Sequence, residues 1–205
     1  MADQASFLPR FADVEISAEA RAIMAQLADQ NALLRASLAE ARERLEEAER
    51  VADTDTLTPL PNRRRFIREL ERVTAQTSRH GTQAAVLYID LDCLKAINDK
   101  HGHVAGDAAL IHVARLLGSL IRAADIAARI GGDEFALILD HLDHNSAIET
   151  ADRVSRYIAS VPLDLGGTQV SLTASIGVAT VLAGDTVDDV LRRADRNIGR
   201  AKSRD

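Results

Sequence analysis

From Ile16 to Ala52 the apolar residues recur at steps of three and four: Ile16, Ala20, Ile23, Leu27, then Leu34, Leu38, Ala41, Leu45, Ala48 and Ala52. Residues 17–52 hold no Gly and no Pro and are rich in Ala, Leu, Glu and Arg, the composition of one long helix. Ser17 suits its start, and Glu19 lies near the positive end of the helix dipole. Steps alternating three and four describe a coiled-coil seam. Asn31 fills the gap, so that consecutive steps of four follow Ile23, a stutter that locally unwinds a supercoil. A polar residue inside such a seam sets register and strand number. The alternative is an amphipathic helix packed on its own domain, but the seam is narrow and Ala-rich and the other faces are heavily charged. A parallel homodimer through residues 1–52 is therefore expected.

The helical pattern breaks over residues 51–62, where Pro59 and Pro61 punctuate the chain. A second domain is read over residues 53–205. A helix is predicted over about 63–78, closing near Gly81, and then a buried strand over 84–90 that ends in acidic residues. Helices follow over 94–100 and 107–122, with Gly102 and Gly106 between them. Two short apolar runs at 126–130 and 135–139 flank Gly131-Gly132-Asp133-Glu134, a hairpin signature. A helix over 145–160, a strand over 169–180 and a helix over 187–202 complete the series. This order predicts an α/β (α+β) sandwich: a mainly antiparallel central sheet flanked by helices, preceded by the long coiled-coil helix.

Composition narrows the function classes. The 205 residues are 46% hydrophobic and 27% charged, enough to bury a core. A net charge of -6 with no basic domain argues against duplex nucleic acid as the partner. The single cysteine, Cys93, excludes an internal disulfide framework and reads as a small buried apolar side chain. No run approaches the ~18 apolar residues of a membrane span, and the first ten residues lack a cationic start followed by an apolar stretch. A cytoplasmic protein is expected.

The candidate chemistry lies in two acidic clusters. Asp90 and Asp92 close an apolar strand two residues apart, and so share a face. Asp133 and Glu134 sit at the double-glycine turn. Carboxylates beside a sheet are costly to bury unless they hold a cation or a cationic side chain. An oxygen-only set without a His or Cys cluster suits Mg²⁺. Gly131 and Gly132 lack side chains, so a phosphate could approach the backbone there. On spacing alone, solvated turn carboxylates would explain these acids equally well.

Gly131-Gly132-Asp133-Glu134-Phe135 resembles the signature after which the GGDEF family of bacterial signalling proteins is named. Upstream stand Leu57-Thr58-Pro59-Leu60-Pro61-Asn62-Arg63-Arg64, Asp90-Leu91-Asp92-Cys93-Leu94-Lys95-Ala96-Ile97-Asn98-Asp99 and Gly102-His103-Val104-Ala105-Gly106-Asp107. Downstream come Ala174-Ser175-Ile176-Gly177-Val178, Arg193-Ala194-Asp195 and Ala201-Lys202. The resemblance runs over residues 53–205 in order and spacing. It implies a fold like the palm of nucleotide polymerases and nucleotidyl cyclases, and a diguanylate cyclase. Two such domains face each other, each holding one GTP, and each ribose 3′-OH attacks the other nucleotide's α-phosphate to give cyclic di-GMP.

By match, Asp90, Asp133 and the backbone carbonyl of Leu91 would ligate Mg²⁺, with Mn²⁺ the alternative. Asp133 is the candidate base, and Glu134 a second carboxylate of the catalytic site. Asn98 and Asp107 would select guanine, since a carboxylate accepts two hydrogen bonds from its N1–H and 2-amino group; helix capping is the other reading of Asp107. Lys95 and Lys202 match triphosphate contacts, and Gly131, Gly132 and His103 lie beside the nucleotide. Arg122-x-x-Asp125, with Arg153, matches an inhibitory site for the product. The chain departs from the family pattern at Pro59, where a glycine is usual, at Cys93 and Leu94, which replace bulkier aromatics, and at Gly199, in place of a tyrosine. It also ends soon after Lys202, with Arg204 offset from the usual arginine.

Two functional readings follow. One is an active cyclase switched by how the coiled coil presents its two domains, its input coming from a protein partner docked on the coil or from product feedback alone. The other is a catalytically silent cyclic di-GMP receptor; the intact glycines and acids favour the enzyme. A purely structural dimerisation module leaves the acid–glycine constellation unexplained.

Overall fold

The computed structural model describes residues 17–202 except Cys93, and for residues 199–202 the backbone alone. Ile16, Arg204 and the side chains of Gly199 and Lys202 thus lie outside the described residues. The chain divides into two compact units, Met1–Arg50 and Val51–Asp205. The first is occupied by helix α1 (Ala18–Asp53), 36 residues long. Ser17 caps it, its Oγ accepting the Ala20 N–H at 3.1 Å. Ile23, Leu27, Leu34, Leu38 and Leu45 are each more than half exposed. The helix thus displays its predicted apolar stripe to solvent.

The second unit is built on a four-stranded antiparallel sheet of β1 (Ala84–Leu91), β2 (Ile126–Arg129), β3 (Glu134–Asp140) and β6 (Ala174–Val181), in the order β2-β3-β1-β6. Strand β1 is central and apolar at almost every position because both its faces are covered. Ala85, Leu87, Ile89 and Leu91 enter a core shared with α3 (Leu94–His101), α4 (His103–Leu120) and α5 (His144–Ser160). Ala84, Val86 and Tyr88 enter a second core, with α2 (Arg63–His80) and α6 (Val187–Lys202). Helix α2 buries Phe66, Leu70 and Val73 at helical spacing. The Asn62 side chain caps its start, and Gly81 ends it at φ 65°.

Two segments differ from the sequence reading. Helix α4 begins at His103, four residues before the predicted start. Gly102, at φ 83°, turns the chain directly from α3 into α4. His103 therefore opens a helix rather than lying in a loop, and Asp107 sits inside α4 rather than capping it. The same helix stops at Leu120, which leaves Arg122 in the following loop. The strand expected over 169–180 is split. Its first part, β5 (Gln169–Val170), pairs with an unpredicted β4 (Leu163–Asp164). Leu172 is drawn fully into the core between β5 and β6 and breaks the run.

Candidate active site

The β1–β3 register sets Asp90 directly opposite Glu134, and the ladder runs one step further through the Leu91 N–H, which donates to the Asp133 carbonyl at 3.1 Å. Asp90, Leu91, Asp133 and Glu134 thus meet at one end of the sheet. Ser175 of β6 faces Asp90 from the other side, and its Oγ donates to Asp92 at 2.7 Å. The turn between β2 and β3 closes on one acceptor: the Ile130 and Gly131 N–H groups both donate to the Glu134 carbonyl, at 2.9 and 3.2 Å.

The two glycines differ in what they do, and neither has a positive φ. A Cβ on Gly131 would lie 2.1 Å from Glu134 Oε2, so the absence of a side chain makes room for that carboxylate. At Gly132 the same position is open. The phosphate approach read from both glycines thus has space only at Gly132, because the Gly131 N–H is already used within the turn. Tyr88, two residues before Asp90 on the same face, is buried, and burial is the main cause that pushes its phenol well above the usual tyrosine range. The charge of Glu134 and a hydrogen bond to it push the same way, against the nearby Arg63.

Among the described residues no three His, Cys, Asp or Glu side chains close on a common point. The donor set at this end of the sheet is carboxylate and backbone carbonyl. That suits Mg²⁺, which keeps water and takes substrate phosphates alongside one or two carboxylates. These residues fit such an ion.

The α3–α4 corner forms a second feature. The Gly102 N–H donates to the Asn98 carbonyl at 2.9 Å, folding the corner tightly. Asn98 Oδ1 is buried without a partner, and a Cβ on Gly106 would lie 2.0 Å from it. A buried amide oxygen left unpaired is costly unless a ligand completes it. Asp107 follows Gly106 directly and is exposed, as are His103 and Lys95. Elsewhere, Arg122, Asp125 and Arg153 line one small depression with Leu137 and Leu139. Asp125 is engaged there already: its carboxylate accepts the Arg122 N–H at 3.0 Å and the Asp140 N–H at 3.2 Å.

Sequence reasoning missed Arg129 and Asp55. The Arg129 guanidinium donates to Asp55 Oδ1 at 3.2 Å and to the Gly132 carbonyl at 2.8 Å, and so joins the linker to the turn. No local pattern could have paired residues 74 positions apart. Asp53 was also passed over; it is buried, and its carboxyl is held below the usual value by hydrogen bonds from Arg68 and Arg64.

An antiparallel sheet that carries paired acids and a double-glycine turn at one strand end, between two helical layers, defines a class shared with known proteins. Residues 52–205 match the family model described as "Diguanylate cyclase, GGDEF domain", and the chain belongs to that family. It is 36% identical over 165 residues to the response regulator PleD of Caulobacter vibrioides, covering 79% of this chain and 36% of PleD. It is 43% identical over 132 residues to the diguanylate cyclase TpbB of Pseudomonas aeruginosa, covering 62% of this chain and 30% of TpbB. The chain thus spans about a third of the length of these curated relatives. Among solved structures it resembles the coiled coil and GGDEF domain of DgcB from Caulobacter crescentus in complex with c-di-GMP. The TM-score is 0.76 at 32% identity, covering 88% of this chain and 94% of that one. It also resembles the diguanylate cyclase SiaD of Pseudomonas aeruginosa in complex with its activator SiaC, with a TM-score of 0.71 at 29% identity, covering 90% of this chain and 78% of that one. No described helix is long and apolar enough to cross a membrane.

Proposed function

We propose that the protein is an active diguanylate cyclase, condensing two GTP into cyclic di-GMP and two pyrophosphates as a homodimer joined through residues 1–52, with residues 53–205 as the catalytic domain. The observation that carries this is the register that gathers Asp90, Leu91, Asp133 and Glu134 around an intact double-glycine turn. Asp90, Asp133 and the Leu91 carbonyl would hold Mg²⁺, which when bound neutralises the triphosphate and the charge that builds on the attacked phosphorus. Asp133 takes the proton of the ribose 3′-OH, and Glu134 supplies a second carboxylate. Gly132 leaves the backbone open to a phosphate, while Lys95, and by the family match Lys202, are assigned to the triphosphate. Asn98, whose buried Oδ1 lacks a partner, and Asp107 read the Watson–Crick edge of guanine. His103, at the start of α4, borders the nucleotide.

Arg122 and Arg153 present guanidinium forks to the phosphates and purines of the product at an inhibitory site shared with Asp125, whose carboxylate also closes the loop from Arg122. The exposed stripe of α1 supports dimerisation, as does its likeness to the coiled coil of DgcB. The same coil offers a docking place for a protein partner.

The test is to mix purified protein with GTP and Mg²⁺ and follow cyclic di-GMP and pyrophosphate across protein concentrations. Product with specific activity rising as dimers form is expected, and Asp133→Ala should abolish it while the fold survives. No product after bound cyclic di-GMP has been stripped away would move the function to a silent receptor or to an enzyme that waits for its partner. Near-parental activity in Asp133→Ala would remove the metal and base assignment.

A further inference from the structure

Among the described residues strand β6 ends the sheet order, so the carbonyls along its outer edge have no strand to pair with. Helix α6 supplies donors to that edge. The Arg193 guanidinium donates to the Thr180 carbonyl at 2.7 Å, and the Asn197 side-chain amide donates to the Val178 carbonyl at 2.8 Å. Four residues of helix advance about 6 Å and two residues of strand about 6.6 Å, so these two rungs are commensurate. Gly177, next to Val178, lets the helix come close: a Cβ there would lie 2.2 Å from the Ala194 carbonyl. Helix α6 therefore runs along β6 toward Ser175, the residue that faces Asp90. Lys202, five positions beyond Asn197, ends the helix on that course.

We infer that Asn197 is a positioning residue for the triphosphate: its rung on Val178 sets how far along β6 the last turn of α6 ends, and so the level at which Lys202 is held. The inference rests on the cyclase reading above, in which Lys202 is assigned to the triphosphate. Among the described residues Asn197 is the last of α6 whose side chain hydrogen-bonds the sheet. The buried Ile198 packs the same turn but fixes no register, since an apolar contact has no direction. Gly199 then weakens the turn that leads to Lys202, because a glycine has the most backbone freedom to lose in a helix. The directional bond of Asn197 is thus what ties this helix end to the strand.

Asn197→Leu keeps the side-chain volume and removes the donor. KM for GTP should rise about three- to tenfold, the worth of one net hydrogen bond, with kcat nearly unchanged. GMP shares the guanine and ribose but lacks the two outer phosphates, so its inhibition constant should stay at the parental value. A merely structural role would weaken both nucleotides together. In a Lys202→Ala background Asn197→Leu should raise KM for GTP no further, because the two residues act on one contact. An unchanged KM for GTP, an equal loss for GTP and GMP, or additive effects of the two substitutions overturns the inference. A parent that makes no cyclic di-GMP ends the cyclase reading instead. Equilibrium dialysis of GTP and GMP with the same four proteins then decides the inference, which requires that Asn197→Leu weaken GTP alone and only where Lys202 is present.

Discussion

Arg129 offers a quantitative probe of how the linker and the double-glycine turn depend on each other. The Arg129 and Asp55 side chains are only 14% and 17% exposed. Asp55 Oδ1 also accepts the Thr58 N–H and Thr58 Oγ1–H, both at 2.8 Å. The Arg129 backbone N–H donates to the Pro61 carbonyl at 2.9 Å, so the edge strand and the linker are joined by main chain as well. Removing one partner of a buried ion pair costs about 3–5 kcal/mol because the other charge is left without compensation. With some water access remaining, Asp55→Ala and Arg129→Ala should each cost about 2–4 kcal/mol, or about 5–15 °C in melting temperature for a domain of this size.

The double variant should be destabilised by about 1–2 kcal/mol less than the sum, since the second substitution removes a charge the first has stranded. The assay is urea unfolding of all four proteins at one protein concentration, with pH as a second axis. Burial works against the Asp55 charge, but the Thr58 hydrogen bonds and Arg129 outweigh it and hold the carboxyl below its usual value. Its contribution is therefore complete above the unfolded value near about 3.9 and is lost as pH falls through the lower folded value. Parent stability should fall over that acidic window, and Asp55→Asn should lack this component. Additivity of the two single substitutions within about 0.5 kcal/mol would show that the pair is not coupled and refute the reasoning.

Gly106→Ala places a Cβ 2.0 Å from Asn98 Oδ1. It should raise KM for GTP about tenfold and narrow the preference for GTP over ATP, and the overlap with the buried Asn98 side chain should outweigh the gain in helix propensity and cost about 1–2 kcal/mol of stability; unchanged nucleotide selectivity would detach Asn98 from guanine reading. Gly131→Ala meets Glu134 Oε2 at 2.1 Å and Glu134 Cβ at 3.1 Å, so the carboxylate must swing away and the turn must give; about 1–2 kcal/mol of stability should be lost while cyclase turnover drops at least about tenfold. Arg122→Ala should leave the initial rate intact and relieve inhibition by added cyclic di-GMP. Unaltered inhibition would remove the product from that depression.

What could be read from the chain alone divides by the range of the cause. The central strand was legible because Ala-Ala-Val-Leu-Tyr-Ile-Asp-Leu is apolar through both periods, as a strand covered on two faces must be. The acids were legible because a double glycine between two apolar runs marks a hairpin, and a hairpin keeps its turn beside its strands. The start of α4 was missed because Gly102 and Gly106 look alike as loop signals. One of them turns the chain at φ 83°, whereas the other lies inside the helix to accommodate Asn98, a demand set by a neighbouring helix. Leu172 broke the last strand for a similar reason, since its burial is decided by the core it enters. Tyr88 lies between these cases. Its place on the face of Asp90 follows from alternation alone, but Glu134 is brought diagonal to it only through the register of a strand more than forty residues away. Periodicity thus places a side chain on a face, whereas the partner it meets there depends on tertiary pairing. For this reason the acids proposed for the site could be read in sequence, while the part that Gly131 plays in making room for Glu134, and the link from Arg129 to Asp55 and the Gly132 carbonyl, acquire their meaning from the fold.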